Sequence, residues 1–117
     1  GGDLSQGRTA AAEDFARRSG AVVVLKGPGT VVAGPDGRCR VNTTGNCGMA
    51  KGGSGDVLSG VVLALLGLGM DAFDACCCAV WLHGRAGDLA AQEKGQWGMT
   101  PTDILERLPQ ALREVTE

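Results

Sequence analysis

Residues 42–56 read Asn-Thr-Thr-Gly-Asn-Cys-Gly-Met-Ala-Lys-Gly-Gly-Ser-Gly-Asp, and the chemistry of this chain concentrates there. Gly52, Gly53 and Gly55 fall close together and lead straight into an apolar, helix-forming run. Glycines at that place let successive backbone N–H groups converge on the positive end of a helix, which is how proteins hold phosphate through oriented donors. Asp56 then stands in the first helical turn. A carboxylate there suits the helix dipole and is placed to take a proton from a hydroxyl attacking a phosphoryl group. It also suits simple helix capping, and the glycine cluster ahead of it favours the chemical role.

Two common phosphate motifs do not fit. A P-loop starting at Gly45 needs glycine and Ser/Thr where Ala50 and Gly52 stand. A dinucleotide fingerprint starting at Gly27-Pro28-Gly29 fails because Val32 replaces the last glycine and a strand comes next. The anion site is therefore of another class. Lys26 ends a short apolar strand and precedes an open backbone, so it either brings a charge to a phosphate or is a solvated turn residue. Asn46 has three uses open to it: phosphate, metal-bound water, or its own backbone in a turn. Lys51 is either a further phosphate neighbour or a solvated loop lysine, the second being favoured.

The elements that must position these groups form a regular succession. Residues 4–18 suit a helix capped by Asp3 or Ser5, with Ala12, Phe15 and Ala16 on one face and Gly20 as its stop. Residues 21–26 are apolar on both faces, as a buried parallel strand requires. Residues 30–33 and 38–41 flank Gly34-Pro35-Asp36-Gly37, so a β-hairpin is expected. A helix from Asp56 to about Leu66 is apolar nearly all round and is expected to be buried in the middle of the domain. Asp71 and Asp74 open a further helix that carries three consecutive cysteines, Trp81 and His83 to about Gln92. Thr100-Pro101-Thr102-Asp103 is a capped helix start, and Pro109 is expected to break or kink the last helix. Helices around few strands make an α/β fold, but three short strands form a poor sheet alone.

Within the third helix His83 reads as a packed residue in preference to an acid/base group, Gly84 and Gly87 as points of close helix packing in preference to ligand contact, and Asp88 as a local cap or pair. Trp97 either borders a base or covers the core. The 117 residues suffice for one domain, and 44% hydrophobic with 21% charged residues is globular composition. A net charge of −2 with scattered basic residues leaves no footprint for nucleic acid. The apolar run of residues 57–70 is too short and glycine-broken to span a membrane. The five cysteines have no C-x-x-C spacing and read as small core residues in a reducing cytoplasm.

The string Gly45-Asn46-x-Gly48-Met49-Ala50-x-Gly52-Gly53-Ser54-Gly55-Asp56-Val57-Leu58, with Leu82-His83-Gly84-x-Ala86-Gly87-Asp88 downstream, resembles the ADP/ATP-dependent NAD(P)H-hydrate dehydratase family. Lys26-Gly27-Pro28-Gly29-Thr30 stands at the matching distance upstream, and the resemblance runs from about Val22 to the end. It implies a ribokinase-like three-layer α/β fold, of which residues 1–117 are the carboxyl-terminal part, with the amino-terminal half absent, a few strands and about four helices. It also implies nucleotide binding by Lys26, Gly27, Pro28, Gly29, Thr30, Asn46, Gly53, Ser54 and Gly55, with Asp56 both touching the hydrated nicotinamide and acting as the base. Mg²⁺ and ADP (or ATP) are the implied co-reactants, and a cytoplasmic homo-oligomer the implied setting. The implied reaction is phosphorylation and elimination, returning NAD(P)HX to NAD(P)H; no metal ligand from the protein is implied. Cys47 stands where the family's loop has proline. The alternatives are a ribokinase-like kinase of a vitamin-precursor alcohol and a nucleotide-binding fragment without turnover.

Overall fold

The computed structural model describes residues 3–27, 29–46, 49 and 54–116. Helix α1 (Asp3–Ser19) buries Ala12 and Ala16 and stops at Gly20, whose N–H bonds the Ala16 carbonyl at 2.9 Å. Phe15 does not share that face. It is 64% exposed, because the two alanines let α1 sit close on the strands, and a side chain one step round from Ala16 (about 100°) falls outside the contact.

Strands β1 (Val23–Leu25), β2 (Val31–Ala33) and β3 (Cys39–Val41) form one sheet in the order β1-β2-β3. Both pairs are antiparallel, with Val24 opposite Val32 and Val32 opposite Arg40. The hairpin forms as expected, its turn closed by Gly34 N–H on the Arg38 carbonyl at 2.8 Å. The parallel, fully buried reading of residues 21–26 is corrected. The short connection after β1 returns the chain beside it, which only antiparallel pairing permits, and β1 is half-buried. Alternation along β2 sends Val31 and Ala33 to α1 and Val32 to the opposite layer, so the sheet lies between helices on both sides.

Helix α3 (Ala72–Lys94) is the centre of that second layer. Asp71 caps it by accepting the Asp74 N–H at 3.3 Å, and Phe73, Ala79 and Val80 pack on Val32. Its other side, through Leu82, Ala86, Leu89 and Ala90, meets Ile104 and Ala111 of α4 (Pro101–Thr116). Thr100 and Asp103 form the reciprocal cap, at 2.8 and 3.2 Å. α4 does not break at Pro109: Leu108 and Ala111 are seated against α3, and that burial offsets the cost of about 3 kcal/mol for the lost bond and the ring's clash.

Helix α2 (Ser54–Gly67) contradicts its expected burial. Leu58 is buried and Val57, Val61 and Leu65 are partly covered by the layers beneath, but Leu63 is 69% and Leu66 40% exposed. A helix apolar all round needs protein on both sides, and among the described residues α2 has it on one. No helix among these residues is long and apolar enough to cross a membrane.

Candidate functional site

The turn after β1 is shaped from outside by α1. Arg8 donates to the carbonyls of Leu25 at 3.2 Å, Lys26 at 3.1 Å and Gly29 at 3.4 Å. Thr30 Oγ1 closes the turn on the Gly27 carbonyl at 3.2 Å, and Gly29 takes φ 66°, which a side chain would strain. With its carbonyls so engaged, the turn projects Lys26 outward, exposed.

The ammonium of Lys26 points at the start of α2. A Cβ added to Gly55 would lie 2.7 Å from Lys26 Nζ, so the two occupy one spot only because residue 55 is glycine. Asp56 comes next in the first turn of α2 and is exposed. A lysine charge, the N-terminus of a 14-residue helix and a carboxylate thus share a small open surface. This is anion-binding geometry with a carboxylate beside it. Thr30 is one step away, its carbonyl accepting the Asn42 N–H at 2.8 Å, which ties the lysine turn to the loop after β3.

That loop is built onto α3. Asn42 Nδ2 donates to the Val80 carbonyl at 3.3 Å, and Thr44 Oγ1 to the Trp81 carbonyl at 3.0 Å. Gly45 N–H and Asn46 Nδ2 both end on Asp88, each at 3.0 Å. Beside the loop, between β3 and α3, lies a groove of about 430 Å³ lined by Arg40, Asn42, Thr43, Cys77 and Trp81 among others.

Of the candidates drawn from the sequence, Lys26 and Gly55 meet directly, while Gly27, Gly29, Thr30 and Asp56 adjoin them. Ser54 opens α2, and Asn46 lies on the loop bound to α3. Pro28 and Gly53 lie outside the described residues, as do Cys47, Gly48, Ala50, Lys51 and Gly52. Trp97 is 93% exposed and so does not cover the core. Burial pushes the thiols of Cys39, Cys76, Cys77 and Cys78 up, which makes them poor nucleophiles and poor metal ligands. Two residues have partners that the sequence does not mark out. Arg8 sits in an ordinary helix, and Asp88 suggests a local pair although its partners are more than 40 positions back. The Gly84-x-x-Gly87-Asp88 strip is the one available signal for the second.

Residues 2–110 match the model of the NAD(P)H-hydrate dehydratase family. The chain belongs to this family. It is 48% identical over 115 residues to the bifunctional NAD(P)H-hydrate repair enzyme of Thermofilum pendens, covering 98% of this chain and 22% of that protein. To the ADP-dependent (S)-NAD(P)H-hydrate dehydratase of Neisseria meningitidis it is 48% identical over 88 residues, covering 75% of this chain and 30% of that one. Its structure superposes with a TM-score of 0.89, at 37% identity, on the crystal structure of the ADP/ATP-dependent NAD(P)H-hydrate dehydratase of Bacillus subtilis co-crystallized with ATP/Mg²⁺. That match covers 95% of this chain and 40% of the other. The fold is therefore the ribokinase-like α/β fold of this dehydratase family, and the chain spans well under half the length of these relatives.

Proposed function

We propose that this chain carries the nucleotide-phosphate site and the base of an enzyme that uses ADP or ATP to return hydrated NADH and NADPH to their reduced forms. The observation that carries the reading is the meeting of Lys26 Nζ with the backbone of Gly55 at the N-terminus of α2, beside Asp56. Lys26, Gly27, Pro28, Gly29 and Thr30 would lie along the phosphates, with the residue 53–55 backbone receiving the transferred group. Residues 1–117 are read as the carboxyl-terminal part of one ribokinase-like domain, a reading supported by the bare leucines of α2. The free thiols suit a cytoplasmic setting.

In this reading Asp56 takes the proton of the hydroxyl that hydration placed on the nicotinamide ring. The oxygen of that hydroxyl attacks the terminal phosphorus, and the bond from that phosphorus to the bridging oxygen breaks. Lys26 and the α2 N-terminus face the charge that gathers on the phosphoryl oxygens. The ring nitrogen's lone pair then expels phosphate, and loss of the neighbouring ring proton leaves NAD(P)H. One molecule of NAD(P)HX and ATP gives NAD(P)H, ADP and phosphate, and ADP in its place gives AMP and phosphate. Mg²⁺ would arrive on the nucleotide's phosphates. Bound there, Mg²⁺ would offset phosphate charge.

The test has two stages. ADP and ATP, each with Mg²⁺, are titrated into this chain and its Lys26→Ala variant. The chain extended at its amino side is then mixed with hydrated NADH, and absorbance of NADH is followed with and without nucleotide. Nucleotide-dependent regeneration supports the dehydratase; an accumulating phosphorylated alcohol without regeneration would move the assignment to a kinase. Failure to bind either nucleotide would end both.

A further inference from the structure

The strip on α3 formed by Gly84, Gly87 and Asp88 faces residues 44–46 and Met49. A Cβ on Gly84 would lie 2.8 Å from the Thr44 carbonyl carbon, and one on Gly87 would lie 2.6 Å from Met49 Cε. Both glycines are buried, so the loop rests on bare helix backbone. At the end of the strip Asp88 divides its carboxylate between two donors, Oδ2 to Gly45 N–H and Oδ1 to Asn46 Nδ2, each at 3.0 Å. Gly45 takes φ 107°, and the bond from its N–H to Asp88 holds that backbone conformation in place. Asn42 and Thr44 add bonds to the Val80 and Trp81 carbonyls earlier on the same helix.

We propose that Asp88 is a positioning residue for the nucleotide site: it fixes the backbone at Gly45 and the direction of the Asn46 carboxamide. The inference rests on the reading of Asn46 as a nucleotide contact. A carboxylate is the side chain that can do both jobs, since each oxygen accepts and neither donates. A carboxamide at 88 accepts from Gly45 with its oxygen but presents an NH₂ to the NH₂ of Asn46, so Asn46 must turn over or let go. Asp88 therefore acts on the nucleotide through Asn46 without touching it, and its carboxylate lies behind the loop, its two oxygens already engaged.

The test uses this chain with ADP and Mg²⁺ as the probe, and compares Asp88→Ala, Asp88→Asn and a packing control, Ile104→Val, in the α3–α4 core. Two readouts are taken: amide exchange at Gly45 without nucleotide, and the Kd for ADP. Asp88→Ala is expected to lose protection at Gly45 and to raise the Kd about tenfold. Asp88→Asn is expected to keep most Gly45 protection and still raise the Kd about threefold, by releasing Asn46. It also serves if Asp88→Ala does not fold. Ile104→Val, which loosens packing away from the loop, is expected to leave the Kd within about twofold. The proposal is overturned if both Asp88 variants bind ADP as the control does. It falls in a distinguishable way if the unaltered chain binds no ADP, for that outcome removes the nucleotide reading itself, whatever Gly45 exchange shows.

Discussion

At Gly55 a methyl group would displace only one flexible side chain, since the nearest atom is Lys26 Nζ. Gly55→Ala is therefore expected to fold normally and to push the ammonium off the α2 N-terminus. Losing a charge-assisted contact of that kind weakens nucleotide binding about tenfold, read as Kd for ADP beside an unchanged melting curve. A collapsed melting curve would show that Gly55 is needed for the backbone instead. Asp56 makes the complementary case, because the exposed carboxylate is assigned to proton removal and not to holding the phosphates. In the amino-extended protein Asp56→Asn is expected to lower regeneration of NADH by about 10²- to 10⁴-fold while ADP affinity stays within about threefold. A loss shared equally by affinity and rate would make Asp56 a binding group. Lys26, Gly55 and Asp56 are legible in sequence because each belongs to a contiguous string whose chemistry is local: strand end, open turn, helix start. The partners of Arg8 and Asp88 are not, since they are carbonyls and amides that only the folded chain brings near.

Elements hold these residues through their ends more than through their middles. Arg38, on the hairpin, reaches Asp36 and Asp71 at 2.8 and 3.0 Å and lies 4.6 Å over Phe73, so it pins the turn to the start of α3. Arg85 grips Glu114 with two bonds, at 2.6 and 3.0 Å, and so joins α3 to the last turns of α4. The Arg38 hydrogen bond holds the Asp71 carboxyl below its ordinary 3.8, and the Arg85 bond holds Glu114 below 4.5. A lowered folded value contributes stability that is fully present above those ordinary values and is lost as pH falls through the lower folded ones. Thermal melts between pH 6 and pH 2.5 should accordingly fall less steeply with acid in an Asp71→Asn, Glu114→Gln double variant than in the unaltered chain. Parallel curves would show that solvent already screens both pairs. The capped starts of α3 and α4 and the hairpin turn are readable because capping and turn residues act on neighbours in sequence. The continuation through Pro109, the outward turn of Phe15 and the antiparallel partner of β1 are not, since packing between elements decides each of them.

Across the whole molecule the layer order is complete over α3 and incomplete over α2. Leu58 and its neighbours are covered by α3 and the sheet, whereas Leu63 and Leu66 look outward from the same helix, and Leu68 just beyond it is 81% exposed. The sequence pattern of α2, apolar on every side, anticipates two covered faces, and three short strands are too few for a self-sufficient sheet; what the pattern cannot carry is the identity of the covering protein. The partial-domain reading supplies it: further chain of the same ribokinase-like domain, consistent with a solved relative of which this chain covers 40%. Leu63→Gln and Leu66→Gln distinguish a covered face from an incidental one. In this chain each is expected to change stability to urea by less than about 0.5 kcal/mol and to reduce binding of an apolar dye, because the side chains meet solvent. In the amino-extended protein the same changes are expected to cost about 2 kcal/mol each, the penalty of setting an amide in a packed apolar layer. Equal and small effects in both proteins would leave the face bare in the complete domain, and the partial-domain reading would then have to give way to a surface that some other molecule covers.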